Sequence, residues 1–188
     1  MNSWDNLKEL REKILVFILG ASLALAGLLG QVDTVKAQNK PISFSLQSLD
    51  GRTVSSASLQ GKVVVLALDG KNDPLESAFL PQLQRLVDRY QGRPVVVVWV
   101  SNDSDHPGLR NYATNQELQN VISRAKFTGI ALRDPQGGIL HAVGANQIPS
   151  IVLIDRSGNI SSPLIAGFDP DTQDAIAEVS GRIDKLLQ

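Results

Sequence analysis

The chain of 188 residues contains no cysteine. That single absence removes disulfides, thiolate nucleophiles, haem attachment, iron–sulfur ligation and a lipid-modified cysteine anchor together. It does not name a compartment, because exported proteins need not carry disulfides. Methionine occurs once and histidine twice, so a soft-metal site has few ligands to draw on. Aromatic residues are scarce at 5%, and the formal net charge is only −1. Nothing in that balance asks for nucleic acid as a partner. The remaining chemistry is that of carboxylates, hydroxyls, lysine and arginine, and no metal or cofactor is implied.

One long apolar run is present. Residues 14–29 read ILVFILGASLALAGLL, preceded by Lys8, Arg11 and Lys13 and followed by GQVDTVKAQ. The run lacks a polar face, which argues against a buried amphipathic helix. Two readings fit. In a cleaved signal peptide the small residues Val35 and Ala37 flank Lys36 and mark cleavage after Ala37. In an uncleaved signal anchor the spacer between Leu29 and Ala37, long for a cleavage region, is explained, and Val32 extends the run. Membrane spans usually need roughly 18 or more apolar residues, so this one is short. The spacer favours the anchor. Both readings leave residues 1–13 cytoplasmic, assign 14–32 to the signal or anchor, make 33–41 a linker and export residues 42–188. Trp4 precedes the run, at the lipid interface or in the cytoplasm.

From residue 42 onward, strand and helix signals alternate. Ile42, Phe44 and Leu46 alternate with polar residues up to a turn, Ser48-Leu49-Asp50-Gly51, that carries an Asp-Gly hairpin signal. Residues 62–68 (KVVVLAL) and 94–100 (PVVVVWV) are continuous apolar runs, the pattern of strands buried on both faces. Trp99 inside the second is a core residue. Residues 74–90 place Leu75, Phe79, Leu83, Leu86, Val87 and Tyr90 on one helical side. A polar loop, SNDSDHPG, leads to a helix near 115–125, then to a short strand at 129–133 closed by Asp134-Pro135. Residues 150–155 form a third central strand and 159–166 an edge strand. A last helix starts at Asp169-Pro170 and buries Ile176, Val179, Ile183, Leu186 and Leu187. Buried strands separated by amphipathic helices predict an α/β domain with a central, partly parallel sheet.

Four segments in order, ISFSLQSLDGRTVSSASLQGKVVVLAL, FLPQLQRLVDRYQGRPVVVVWVS, IPSIVLIDRSGNI and GFDPDTQDAI, resemble the TlpA/ResA-type periplasmic thioredoxin-like family from Ile42 to the C-terminus. The resemblance implies a thioredoxin-like fold, a central mixed sheet flanked by helices. It also implies that Ile148-Pro149 is the cis-proline loop facing the active site. The redox segment of that family does not survive. Counted back from Leu80-Pro81, its two cysteine positions fall on Asp73 and Glu76, Pro74 matches its proline, and Asn72 replaces the preceding aromatic. Where the family uses a helix N-terminus to hold a thiolate, this helix reads Asp73-Pro74-Leu75-Glu76, a capping box filled by its own carboxylates.

Other polar clusters read as structure. Asp73 and Glu76 beside Asp69 could form an acid/base pair or hard-cation site, but no third ligand or substrate signature accompanies them. Asp103, Asp105 and His106 share a loop at a strand's carboxyl end, a favoured ligand position, yet the glycine and distal glutamate of a calcium loop are missing and a solvated loop is expected. His141 reads as packed or superficial, and Ser55, Ser56 and Ser58 as turn and cap residues without a nucleophile elbow. The expectation is a redox-inactive module, not an enzyme. It sits in the periplasm or thylakoid lumen and binds a protein or peptide near the membrane through Asn72, Asp73, Gln147, Ile148 and Pro149. The alternative is a structural subunit of a membrane complex. A thiol–disulfide oxidoreductase is excluded by the missing cysteines.

Overall fold

In the computed structural model the described residues are 41–71, 76–161, 163–166 and 174–188, all within the compact unit Ala37–Gln188. The signal or anchor segment expected at 14–32 lies outside them; among the described residues no helix is long and apolar enough to cross a membrane. Seven strands form one mixed sheet. They are β1 Ser45–Ser48, β2 Thr53–Ser55, β3 Val63–Asp69, β4 Val95–Ser101, β5 Ile130–Arg133, β6 Ser150–Ile154 and β7 Ile165–Ala166. Their order is β2-β1-β5-β4-β3-β6-β7.

The strand β3 explains the sheet. All seven of its residues are buried, so both faces need cover and both edges need partners. It runs parallel to β4, from Val63 opposite Val95 to Asp69 opposite Ser101. On its other edge β6 is antiparallel, with Leu68 opposite Ser150. Alternate side chains go to opposite faces. Val63, Val65 and Ala67 join a cluster with Phe79, Leu83, Leu118, Val179 and Ile183. Val64, Leu66 and Leu68 join another with Ile42, Leu59, Ile139 and Ile154. The helices α1 Glu76–Arg89, α2 Asn115–Arg124 and α4 Asp174–Leu186 therefore cover one face, while α3 Gly138–Ala142 and a 3-10 turn Ser56–Leu59 cover the other.

The expected helices and buried strands are present, with two differences. The edge strand expected at 159–166 shrinks to Ile165–Ala166, with isolated bridges from Asn159 to Pro41 and from Ile160 to Ile154. Pro163 has no amide hydrogen for a ladder, which limits pairing there. The short helix α3 was not anticipated. It has no side-chain cap at Gly137; instead the Asp134 carboxylate accepts the Gly138 and Ile139 amides at 3.0 and 2.7 Å. The expected start of the last helix at 169–170 lies outside the described residues.

A capping box opens α2. The Thr114 hydroxyl accepts the Glu117 amide at 3.2 Å, and Glu117 Oε2 accepts the Thr114 amide at 2.8 Å. Glu117 Oε1 also accepts from Lys71 Nζ at 2.8 Å. The Lys71 bond first, then the Thr114 amide and hydroxyl, hold the Glu117 carboxyl down at about 2. Because the folded value lies below the ordinary carboxyl value, the stabilisation exists above the unfolded pKa and disappears as pH falls towards 2. Denaturant midpoints of the wild type and Glu117→Gln should therefore differ fully above pH about 4.5 and converge on acidification. A gap independent of pH contradicts this account. Replacing fully buried Leu83 in α1 by alanine is expected to cost about 2–5 kcal/mol in the same unfolding measurement.

Candidate functional site

The β3 strand delivers Asp69 to the carboxyl-terminal edge of the sheet, fully buried at 0% exposure. Asp69 lies one residue beyond the apolar run 62–68 and is the last strand residue, held because Ser101 stands opposite it in the ladder. Trp99 Nε1 donates to Asp69 Oδ2 at 3.3 Å, so one buried polar group answers another within the core. Beyond it the chain turns through Gly70 to Lys71, whose amide donates to Asp103 Oδ2 at 2.7 Å. The Ser101 hydroxyl donates to the same oxygen at 2.8 Å, and the Asp103 amide donates back to Ser101 Oγ at 3.2 Å. The loops after β3 and β4 are laced together by one carboxylate.

Asp103 is only 2% exposed, which corrects the expectation of a solvated loop. Asp105 and His106 do stand in solvent, with His106 Nε2 3.9 Å from Asp105 Oδ1. The three therefore do not converge. Among the described residues no group of three or more histidine or acidic side chains is placed to hold a metal ion. His141 is exposed on α3. Ser55 accepts the Ser58 amide as the cap of the 3-10 turn, and Ser56 Oγ accepts the Phe44 amide, so this serine group is structural.

Across Gly70 lies the loop before β6. The Ile148–Pro149 peptide is cis, as the resemblance implied. Gln147 is exposed and Pro149 buried; the Ser150 hydroxyl donates to the Gln147 carbonyl at 2.6 Å. A Cβ on Gly70 would lie 3.5 Å from both Ile148 Cδ1 and Asp103 Oδ1. The structure thus brings Ile148 against the segment after β3. Asn72 and Asp73 lie outside the described residues. Glu76 opens α1, but its side chain is not among those described, so the proposed capping box and former cysteine positions lie outside as well.

Two basic residues missed in the sequence brace this end. Lys71 reaches Glu117, tying the post-β3 turn to α2. Arg133 donates to the Ser104 carbonyl at 2.9 Å, to the Ala113 carbonyl and to Asn115, closing the loop 102–114. An arginine at a strand end gives no local sign of such partners. Leu109, 54% exposed, stands on this closed loop. A depression of about 240 Å³ beside Ile42, Phe44 and Leu59 lies near the start of β3, at the opposite edge of the sheet.

With the geometry in hand, comparisons place the chain among known proteins. It is 23% identical over 125 residues to a thiol-disulfide oxidoreductase, ResA, of Halalkalibacterium halodurans, a match covering 66% of this chain and 66% of that protein's length. A Chlorobium tepidum structure assigned as thiol:disulfide interchange protein DsbE superposes with a TM-score of 0.67 at 20% identity, covering 80% of this chain and 96% of the other. The exposed lipoprotein thioredoxin of Streptococcus pneumoniae superposes with a TM-score of 0.58 at 22% identity, covering 75% and 99%. At such identities the structures establish the thioredoxin-like α/β fold. The family model described as AhpC/TSA matches residues 37–162, and the chain belongs to that family as a TlpA/ResA-type thioredoxin-like member without a cysteine.

Proposed function

We propose that this protein is a non-catalytic, peptide-binding member of its family, exported or membrane-anchored, whose groove beside Ile148 holds a partner without covalent capture. Thiol–disulfide exchange needs a thiolate to attack and a disulfide to receive it. A chain without cysteine supplies neither. The observation that carries the binding reading is the exposure of Ile148. Among the described residues only Ile148, at 36%, and Leu109 are exposed large hydrophobic side chains. Both belong to loops at the carboxyl edge of the parallel strands, where the family's chemistry would sit. An extended peptide can pair with backbone at such an edge while an apolar neighbour packs against its side chains.

Export is supported by similar proteins, one an exposed lipoprotein and another a secreted disulfide oxidoreductase of Mycobacterium tuberculosis. It is supported also by the apolar run at 14–29 after basic residues. The soluble domain then faces a periplasm or thylakoid lumen.

The test compares full-length wild type with Ile148→Asp and, as a control on the same edge, Leu109→Ser, in pull-downs from native membranes after mild detergent extraction. A partner retained by wild type and Leu109→Ser but at least tenfold depleted with Ile148→Asp is expected. Equal retention by all three contradicts the groove. Insulin reduction driven by dithiothreitol should proceed at the uncatalysed rate with the wild type; acceleration by the protein contradicts the loss of redox activity.

A further inference from the structure

The Asp103 carboxylate has an unequal pair of oxygens. Oδ2 accepts both the Lys71 amide and the Ser101 hydroxyl. Oδ1 has no donor among the described residues, and it lies 3.5 Å from the position a Gly70 Cβ would take. A carboxylate at 2% exposure ordinarily carries a counter-charge, because a buried charge without one is costly. Among the described residues Asp103 forms no ion pair: Lys71 Nζ pairs with Glu117, and Arg133 directs its two Nη groups to the Ser104 and Ala113 carbonyls and Asn115.

We propose that Asp103 Oδ1 receives the cationic head of a lysine or arginine side chain from the peptide in the groove, an inference that rests on the peptide-binding reading above. The neighbours suit such a side chain. Ile148 Cδ1 lies the same 3.5 Å from the Gly70 position, offering an apolar wall for the methylene stem while the charged head meets the carboxylate. A charge-assisted bond at this site is stronger than a neutral one. Glycine at position 70 keeps the space between them open. Its backbone is not in the left-handed region, and the 3.5 Å distances are ordinary contacts, so alanine fits there without strain while filling that space.

The probe is an immobilised array of extended octapeptides in which every lysine- or arginine-containing sequence is paired with its norleucine counterpart. It is read with the full-length protein in mild detergent. Wild type should bind cationic members at least tenfold better than their counterparts. That preference should vanish in Asp103→Asn, which keeps an acceptor for Lys71 and Ser101. It should shrink in Gly70→Ala and persist in Asp105→Asn, which removes an exposed charge. If Asp103→Asn fails to fold, Gly70→Ala decides. A preference that survives both Asp103→Asn and Gly70→Ala overturns the assignment. Equal binding of cationic and norleucine members, lost in Ile148→Asp, overturns it too but leaves the groove standing. No binding by wild type, or binding indifferent to Ile148→Asp, overturns both.

Discussion

Everything at the candidate site of this domain hangs from β3. Its seven buried residues leave it no exposed face, and its two hydrogen-bonded edges fix it between β4 and β6. A strand held on four sides has one admissible register, since a slip of one residue would exchange its two apolar faces. That register delivers Asp69 and Gly70 to the sheet edge opposite Ile148. Each large side chain buried along β3 and its neighbours contributes about 1.5–3 kcal/mol, against about 1 kcal/mol for one helix cap. The core therefore sets the frame, and the polar contacts tune the loops upon it.

Those polar contacts show how a thioredoxin-like edge can be maintained without thiols. Trp99 answers Asp69, Lys71 and Ser101 answer Asp103, and Lys71 and Thr114 answer Glu117. Asp69 ties β3 to β4, while Asp103 and Glu117 tie the turn after β3 to the loop after β4 and to α2. Arg133 does the same for the loop that carries Leu109. The result is a braced rim beside Ile148.

The sequence made the core plain. Unbroken runs of valine and leucine at 62–68 and 94–100 leave little choice but buried strands, and helical spacing from Phe79 to Tyr90 identifies the covering helix. The family motif pointed to the cis peptide at Ile148-Pro149. What stayed hidden was contact between distant residues. An acidic stretch such as Asn102-Asp103-Ser104-Asp105 reads as solvated, because composition cannot show that the Lys71 amide and Ser101 hydroxyl fold over one of its carboxylates. The five-residue α3 was hidden for a similar reason. Its cap, Asp134, precedes the helix by four residues and is separated from it by Pro135 and Gly137, a spacing that reads as a turn. Position 163 carries the opposite lesson, since the proline that limits the edge strand was visible in the sequence and was underweighted.

The central claim is that the edge which lost its cysteines still receives a partner. Hydrogen–deuterium exchange of the full-length protein, alone and in complex with the captured partner, tests it most directly. The account predicts new protection at the amides of Gly70, Lys71, Ile148 and Ser150, with α4 and β7 unchanged. Protection confined to α4 and β7, with these four amides unaltered, would contradict it.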